Sequence, residues 1–466
     1  MLTRILAGLG LLAGLTLGCD GGSGGAGAGD GGDLRGGDAV LDAGGELGGD
    51  ALADLEGDVP EVVPGSPLLE RPLDLRFDCQ VTRDTTNHQP LRWAQAGHPL
   101  VTTVGGKTFV VRVESEPASP FEFAPGYLRV STLDSAGDLG AGTELAADPD
   151  AVTGIGAAPA GEGLLVVWAQ GALKSALLDG EGQALGQPLT VTAQGGDYLG
   201  HPQVSPLGEG FGVAISGPSG SHRTIKFLRL DASGAAAGAP AEFVTAGQSW
   251  ENPGLALAAG DGRWGLLWQE TVNNKGQVYF AAVGADGQVV VPRKRVFVTE
   301  DDTTPMGFVQ PKVALVATAE GWVGAWSEAY PGESMESGAF ALVRVARLDT
   351  DGNPLELAPV RAAALEVDEV EPVLLPFQGA VGLFWSSGTH IYFCGGCYPD
   401  HRVDFVLLDG ATLSPVSEVQ TLNPTPNGLL GLTAAAQGDQ LLAAFDIHYH
   451  VYQDPASGAL ECVKNE

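Results

Sequence analysis

Gln310-Pro311-Lys312-Val313-Ala314-Leu315, then Gly321-Trp322-Val323-Gly324-Ala325-Trp326, then Val343-Arg344-Val345-Ala346-Arg347-Leu348-Asp349 running on to Gly352 and Leu355, form one copy of the unit that decides the fold. Each run is short, rich in β-branched and aromatic residues, and bounded by Gly, Asp or Pro, which marks strands joined by tight turns. The X-Pro opener recurs as His98-Pro99, His201-Pro202, Asn252-Pro253 and Glu371-Pro372, with Pro-less versions near Val152-Thr153 and Asn427-Gly428. A second run closes in register at Val113, Trp168, Ile215, Trp268, Trp326, Trp385 and Phe445. A third landmark is the turn Leu133-Asp134 to Gly137, Leu178-Asp179 to Gly182, Leu230-Asp231 to Gly234, Leu348-Asp349 to Gly352 and Leu408-Asp409-Gly410, with weaker copies at Asp286-Gly287 and Asp454 to Gly458. There Asp caps the turn through backbone amides and Gly accepts positive φ.

Seven copies at a period of about 50 to 60 residues, four strands to a copy, predict an all-β fold, a seven-bladed β-propeller of four-stranded blades. A solenoid of such units would need caps over its apolar ends, and none is visible. Gln89-Pro90-Leu91-Arg92-Trp93-Ala94 reads like the fourth-strand segment Gln187-Pro188-Leu189-Thr190-Val191-Thr192, yet it precedes the first opener. The last copy nearly runs out of chain after Gly458. The N-terminal segment is therefore expected to complete the last blade and close the ring.

Ahead of the repeats lie two segments of a different kind. Residues 1–18 read as a signal peptide: Arg4 gives a positive start and Ile5 to Leu17 an apolar stretch too short to span a bilayer. Residues 19–70 are mostly Gly, Ala, Asp and Glu, too polar to pack, and read as a disordered tether with a reach on the order of 40 Å. Residues 71–466 hold the propeller. The junction Leu15-Thr16-Leu17-Gly18-Cys19 resembles a bacterial lipobox, which implies that Cys19 is lipidated and becomes the first residue of the mature chain. Acyl chains together supply the two-signal anchoring that a lone chain cannot. The localisation so implied is the cell envelope, lipid-anchored to the bacterial membrane.

Cysteine arithmetic fits export. Setting Cys19 aside leaves Cys79, Cys394, Cys397 and Cys462, an even set. Cys394 and Cys397 are near neighbours in Phe393-Cys394-Gly395-Gly396-Cys397-Tyr398 and are expected to staple a hairpin, a metal or redox role being the alternative. Cys79 and Cys462 remain to pair, and they flank the segments expected to meet at closure. Such a bond would contribute about 4 kcal/mol by loop entropy.

Candidate sites each have a structural competitor. His98, His201, Asn252, Gln310 and Glu371 stand before the opening Pro, at equivalent places that would form a ligand-binding ring at one mouth of the channel. Solvated strand openers are the competing reading. Asp446, His448 and His450 alternate as on one strand face, but side chains in line rarely converge on one metal ion. Asp349-Thr350-Asp351-Gly352-Asn353 hints at calcium yet lacks the rest of an EF-hand loop. No Gly-x-Ser-x-Gly elbow, His-Glu-x-x-His pair or phosphate loop occurs, and no cofactor is expected. The formal net charge of −33 argues against nucleic acid as a partner.

The Gly-aromatic second strands and Leu-Asp-x-x-Gly turns are similar to those of exported bacterial β-propeller repeat proteins, many of them lipoproteins. That resemblance implies a fold and transfers no activity to any residue. The expected function is a membrane-anchored envelope lipoprotein whose propeller is a non-enzymatic binding or scaffold module, meeting an envelope protein or glycan. The alternative is a propeller-type polysaccharide hydrolase or lyase with its site at the channel mouth.

Overall fold

A computed structural model describes residues 97–463, apart from 116–125, 134–139, 141, 148–151, 153, 193–200, 220–221, 249–253, 274, 300–311, 331–339, 357–358, 366–368, 389–400, 426–428, 439, 448–449 and 454–459. All of them belong to the compact unit Asp58–Glu466. Six sheets each contain four antiparallel strands in chain order. Blade I is β1 (Gly97–Val104), β2 (Lys107–Ser115), β3 (Gly126–Leu133) and β4 (Thr143–Ala147). Blade II is β5 (Gly154–Ala160), β6 (Gly163–Gln170), β7 (Ala172–Leu178) and β8 (Leu189–Thr192). Blade III is β9 (Gln203–Leu207), β10 (Gly210–Ser219), β11 (His222–Leu230) and β12 (Ala241–Gln248). Blade IV is β13 (Gly254–Gly260), β14 (Arg263–Val272), β15 (Lys275–Gly284) and β16 (Val289–Val298). Blade V is β17 (Val313–Thr318), β18 (Gly321–Tyr330), β19 (Phe340–Leu348) and β20 (Val360–Leu365), and blade VI is β21 (Glu369–Phe377), β22 (Ala380–Gly388), β23 (His401–Asp409) and β24 (Gln420–Thr425).

The expected seventh four-stranded blade is not formed among the described residues. Two two-stranded sheets stand in its stretch of chain: β25 (Leu429–Gln437) with β26 (Gln440–Ile447), and β27 (His450–Gln453) with β28 (Leu460–Val463). β26 pairs only with β25, and β27 only with β28, among the described residues, so no third strand joins the β25–β26 pair. The segment expected to complete this blade, residues 71–94, lies outside the described residues, and nothing in the structure supports closure by it.

First strands nonetheless pack in ring order, β1 on β5, β9, β13, β17, β21, β25 and back to β1. Val101 and Val110 of blade I share a buried cluster with Ala435 and Leu442 of β25–β26. Hydrogen bonds cross the same junction, Thr103 Oγ1 donating to Ala436 O at 2.5 Å and Gln437 Nε2 to Gly106 O.

Each second strand lies between two neighbouring sheets, so it is buried on both faces and reads as a continuous apolar run rather than an alternating one. Strand β6 is buried at all eight positions. The recurrent aromatics wedge into the preceding blade, as expected from their register. Trp168 packs with Phe109, Val111 and Leu128 of blade I, Trp268 with Ile225, Phe227 and Phe243 of blade III, Trp326 with Val278 and Phe280 of blade IV, and Trp385 with Val323, Val343 and Val345 of blade V. A second aromatic layer escaped the sequence reading: Trp264 and Trp322 near the starts of their strands are also buried, against Phe227 and Phe280. Burying rings of this size dominates the seam energetics.

The turns follow the motif. Asp179, Asp231 and Asp349 each accept, through Oδ1, the amides two and four residues on, at 2.7–3.1 Å. Gly182, Gly234 and Gly352 then take positive φ of 77°, 80° and 71°. Blade VI departs from the pattern: the positive φ falls on Leu413, at 59°, and not on Gly410. Its turn is one residue longer, and Asp409 Oδ1 instead accepts from Ala411 N and Thr412 N.

Candidate functional site

The inner ring is where sequence placed the ligand-contacting residues, and two of the five are described there with their side chains. His201 stands just before β9, and its Nδ1 accepts a hydrogen bond from Ile155 N of blade II at 3.2 Å. That bond fixes the tautomer, leaving the ring proton on Nε2. Glu371 on β21 reaches both ways round the ring. Its Oε1 receives Lys312 Nζ beside blade V at 3.3 Å, and its Oε2 receives Leu432 N of β25 at 3.4 Å. His98 lies on β1, while Asn252 and Gln310 lie outside the described residues. At these two openers the side chain ties its blade to a neighbour.

A second set of polar groups sits at the other end of the aromatic wedges. Second strands run two or more residues beyond the wedge tryptophans of blades II, IV and V, and the residue two further on turns back to its ring nitrogen. Trp168 Nε1 donates to Gln170 Oε1 at 3.3 Å, Trp268 Nε1 to Glu270 Oε1 at 2.6 Å, and Trp326 Nε1 to Glu328 Oε1 at 3.0 Å. Each acceptor has a basic partner: Lys174 at 3.0 Å, Arg293 at 3.1 Å and Arg344 at 3.1 Å. Glu270 and Glu328 are 1% and 0% exposed at the side chain, and each carboxylate oxygen accepts from at least one donor, which offsets the cost of burying the charge against a partly exposed arginine. Arg293 also lies 4.0 Å over the Tyr279 ring and donates to Val244 O of blade III. Blade VI has Ser387 at the equivalent sequence position, and Trp385 Nε1 is buried without a partner among the described residues. The signal was legible as Trp-Ala-Gln, Trp-Gln-Glu and Trp-Ser-Glu at 168–170, 268–270 and 326–328, but strand ends placed at the tryptophan hid it.

The turn acids are electrostatically settled as caps. The Ser233 hydroxyl first, and then the Ala235 and Ser233 amides, hold Asp231 below the usual carboxylate range against the opposing effect of burial. Burial pushes Asp349 up, but hydrogen bonds from the Asn353 side chain and from the Asn353 and Asp351 amides outweigh it and hold the group low. Thr412, then the Ala411 and Thr412 amides, do the same for Asp409. The calcium-like run at 349–353 is accordingly a turn that uses its carboxylate internally, and Asp351 faces Arg263 at 3.4 Å.

Asp446, His448 and His450 do not share one strand. Asp446 pairs with Leu430 on β26, His448 is outside the described residues, and His450 opens β27 opposite Val463. Asp446 and His450 therefore stand in two different sheets rather than on one strand face. Cys19, Cys79, Cys394 and Cys397 lie outside the described residues, and Cys462 stands on β28 opposite Val451.

No protein-family profile matches the sequence, and no curated protein matches it either. Among solved structures, the chain is similar to BBS1N in complex with ARL6DN, at 14% identity and TM-score 0.41 over 78% of this chain and 95% of that one. The Aleuria aurantia lectin in complex with Fucα1-6GlcNAc is similar at 11% identity and TM-score 0.41, over 72% and 97%. An α-L-arabinofuranosidase of Podospora anserina in complex with cellotriose follows at 12% identity and TM-score 0.34, over 68% and 94%. At such distances these likenesses bear on neither the activity nor the ligand of this chain.

Proposed function

We propose that this chain is an exported lipoprotein, anchored through Cys19, whose propeller is a non-enzymatic module that binds an envelope protein or glycan. The observation that carries the binding reading is the employment of its inner carboxylates. Glu270 and Glu328 neutralise arginines beneath tryptophans, and Glu371 bridges Lys312 and Leu432 N. A polysaccharide hydrolase or lyase needs carboxyl groups poised to exchange protons with substrate. These three instead hold strands and blades together. Anchoring is supported by the Leu15–Cys19 junction and by the acidic Gly/Ala-rich stretch that follows, which would hold the ring clear of the headgroups.

The test uses the full chain in a bacterial host. Mass spectrometry of the N-terminal peptide is expected to find acylated Cys19, and Cys19→Ser is expected to move the protein from the membrane fraction into the soluble one. A mature chain starting elsewhere, or a Cys19→Ser protein that stays with the membrane, overturns the anchoring. Release of oligosaccharides from envelope polysaccharide by the purified protein overturns the non-enzymatic reading.

A further inference from the structure

Arg223 is a buried cation with no acid beside it among the described residues. It stands on β11 two residues before Ile225 and four before Phe227, both packed against Trp264 and Trp268 of blade IV, so strand alternation turns it toward the seam between blades III and IV. The residue is 1% exposed. Its one side-chain hydrogen bond among the described residues runs from Nη1 to Ser216 Oγ at 3.5 Å, the outer limit for such a bond, and Nε has no partner there. Burial draws its pKa downward with no opposing carboxylate. A buried guanidinium N–H without an acceptor carries an uncompensated desolvation cost.

Elsewhere this chain shows how it treats such a group. Arg293 and Arg344, each less buried than Arg223, hold Glu270 and Glu328. Among the described strand positions of this seam, Arg223, Arg229, Arg293 and Arg295 stand with the carboxylate of Glu270. Glu270 is engaged by Arg293 and Trp268 Nε1, and Arg229 lies at the far end, donating to Ala237 O and Ala285 O. Arg293 and Arg223 approach the same short piece of β12, the first donating to Val244 O and the second receiving Thr245 Oγ1 on its carbonyl. In a chain with 57 acids and 24 Lys and Arg, a guanidinium buried with no carboxylate against it among the described residues stands out.

We infer that the seam of blades III and IV at Arg223 is an anion-binding site, taking a carboxylate or phosphate oxyanion carried by a ligand, with Ser216 Oγ as its second donor. The guanidinium fork suits either group, since both present two oxygens at matching separation. This inference rests on the reading of the ring as a binding module and names the chemical class of what it binds.

Thermal unfolding and titration calorimetry of the full chain, in sodium phosphate, acetate or chloride at equal ionic strength, decide the matter. Phosphate or acetate is expected to raise Tm above its value in chloride, and Arg223→Gln to abolish that rise. The anion giving the larger shift identifies phosphorylated or carboxylate ligands. If Arg223→Gln does not fold, Arg223→Lys and Ser216→Ala are each expected to weaken anion binding at least about tenfold, about 1.4 kcal/mol. Equal melting in all three salts, or an anion response that survives these substitutions, overturns the site. Crosslinking to an envelope partner without any anion response would reject this site and leave the binding module standing; release of oligosaccharides rejects the module itself.

Discussion

Gly352→Ala is expected to cost about 2–4 kcal/mol, measured by urea unfolding of the full chain. Two effects add. The residue sits at φ 71°, where a Cβ costs about 1 kcal/mol relative to glycine. An added Cβ would also run into the Phe280 ring of the preceding blade, and overpacking of a closed seam costs about 1–3 kcal/mol. Gly161 is the control, with φ 61° and open space around a Cβ, so Gly161→Ala should cost about 1 kcal/mol. Equal effects at the two sites would show that the turn glycines serve their own backbones alone. The contrast separates turn chemistry from packing between blades, because Gly352 tucks against the blade before it.

Glu328→Ala should destabilise the ring by about 3 kcal/mol. Its carboxylate is 0% exposed and serves two donors, Trp326 Nε1 and Arg344 Nε. Removing it leaves a buried indole N–H and a guanidinium unpaired, and the cost is that of the orphans more than of the lost bond. Adding Arg344→Met to Glu328→Ala should therefore recover part of the loss, a non-additivity readable in a double-mutant cycle. Additive losses would mean that the pair holds nothing in common. Trp385 is the natural comparison, a buried indole with no acceptor among the described residues.

The strand order and turn chemistry were legible because they are local. Leu-Asp-x-x-Gly specifies a capped turn with a left-handed residue, and the structure places that residue at Gly182, Gly234 and Gly352. Aromatic ends of apolar runs were legible as wedges for the same reason, a periodic signal in register. Blade number was not legible, because counting openers counts first strands, whereas a blade needs four strands paired in one sheet. Asn427-Gly428 does precede an inner strand, β25, yet β26 pairs only with it among the described residues. The five opener residues were legible as equivalent positions, but where His201 and Glu371 point depends on the neighbouring blades they bond. Arg223 gave no signal at all: an arginine near a strand start is unremarkable until both flanking sheets are in place.

Circular packing of the blades is the claim on which the seams, the wedges and the inner ring all depend. Cysteines introduced at Thr103 and Gln437, treated with a short bifunctional maleimide and mapped by mass spectrometry of the intact monomer, read the junction between blade I and β25 directly. Thr103 donates to Ala436 O, and Gln437 reaches Gly106 O and Thr108 Oγ1, so the two positions are spatial neighbours despite lying at opposite ends of the ring's sequence. An intramolecular crosslink in the folded protein that disappears on unfolding is the expected result. Absence of that crosslink in protein that is folded by circular dichroism and labelled at both cysteines would contradict it.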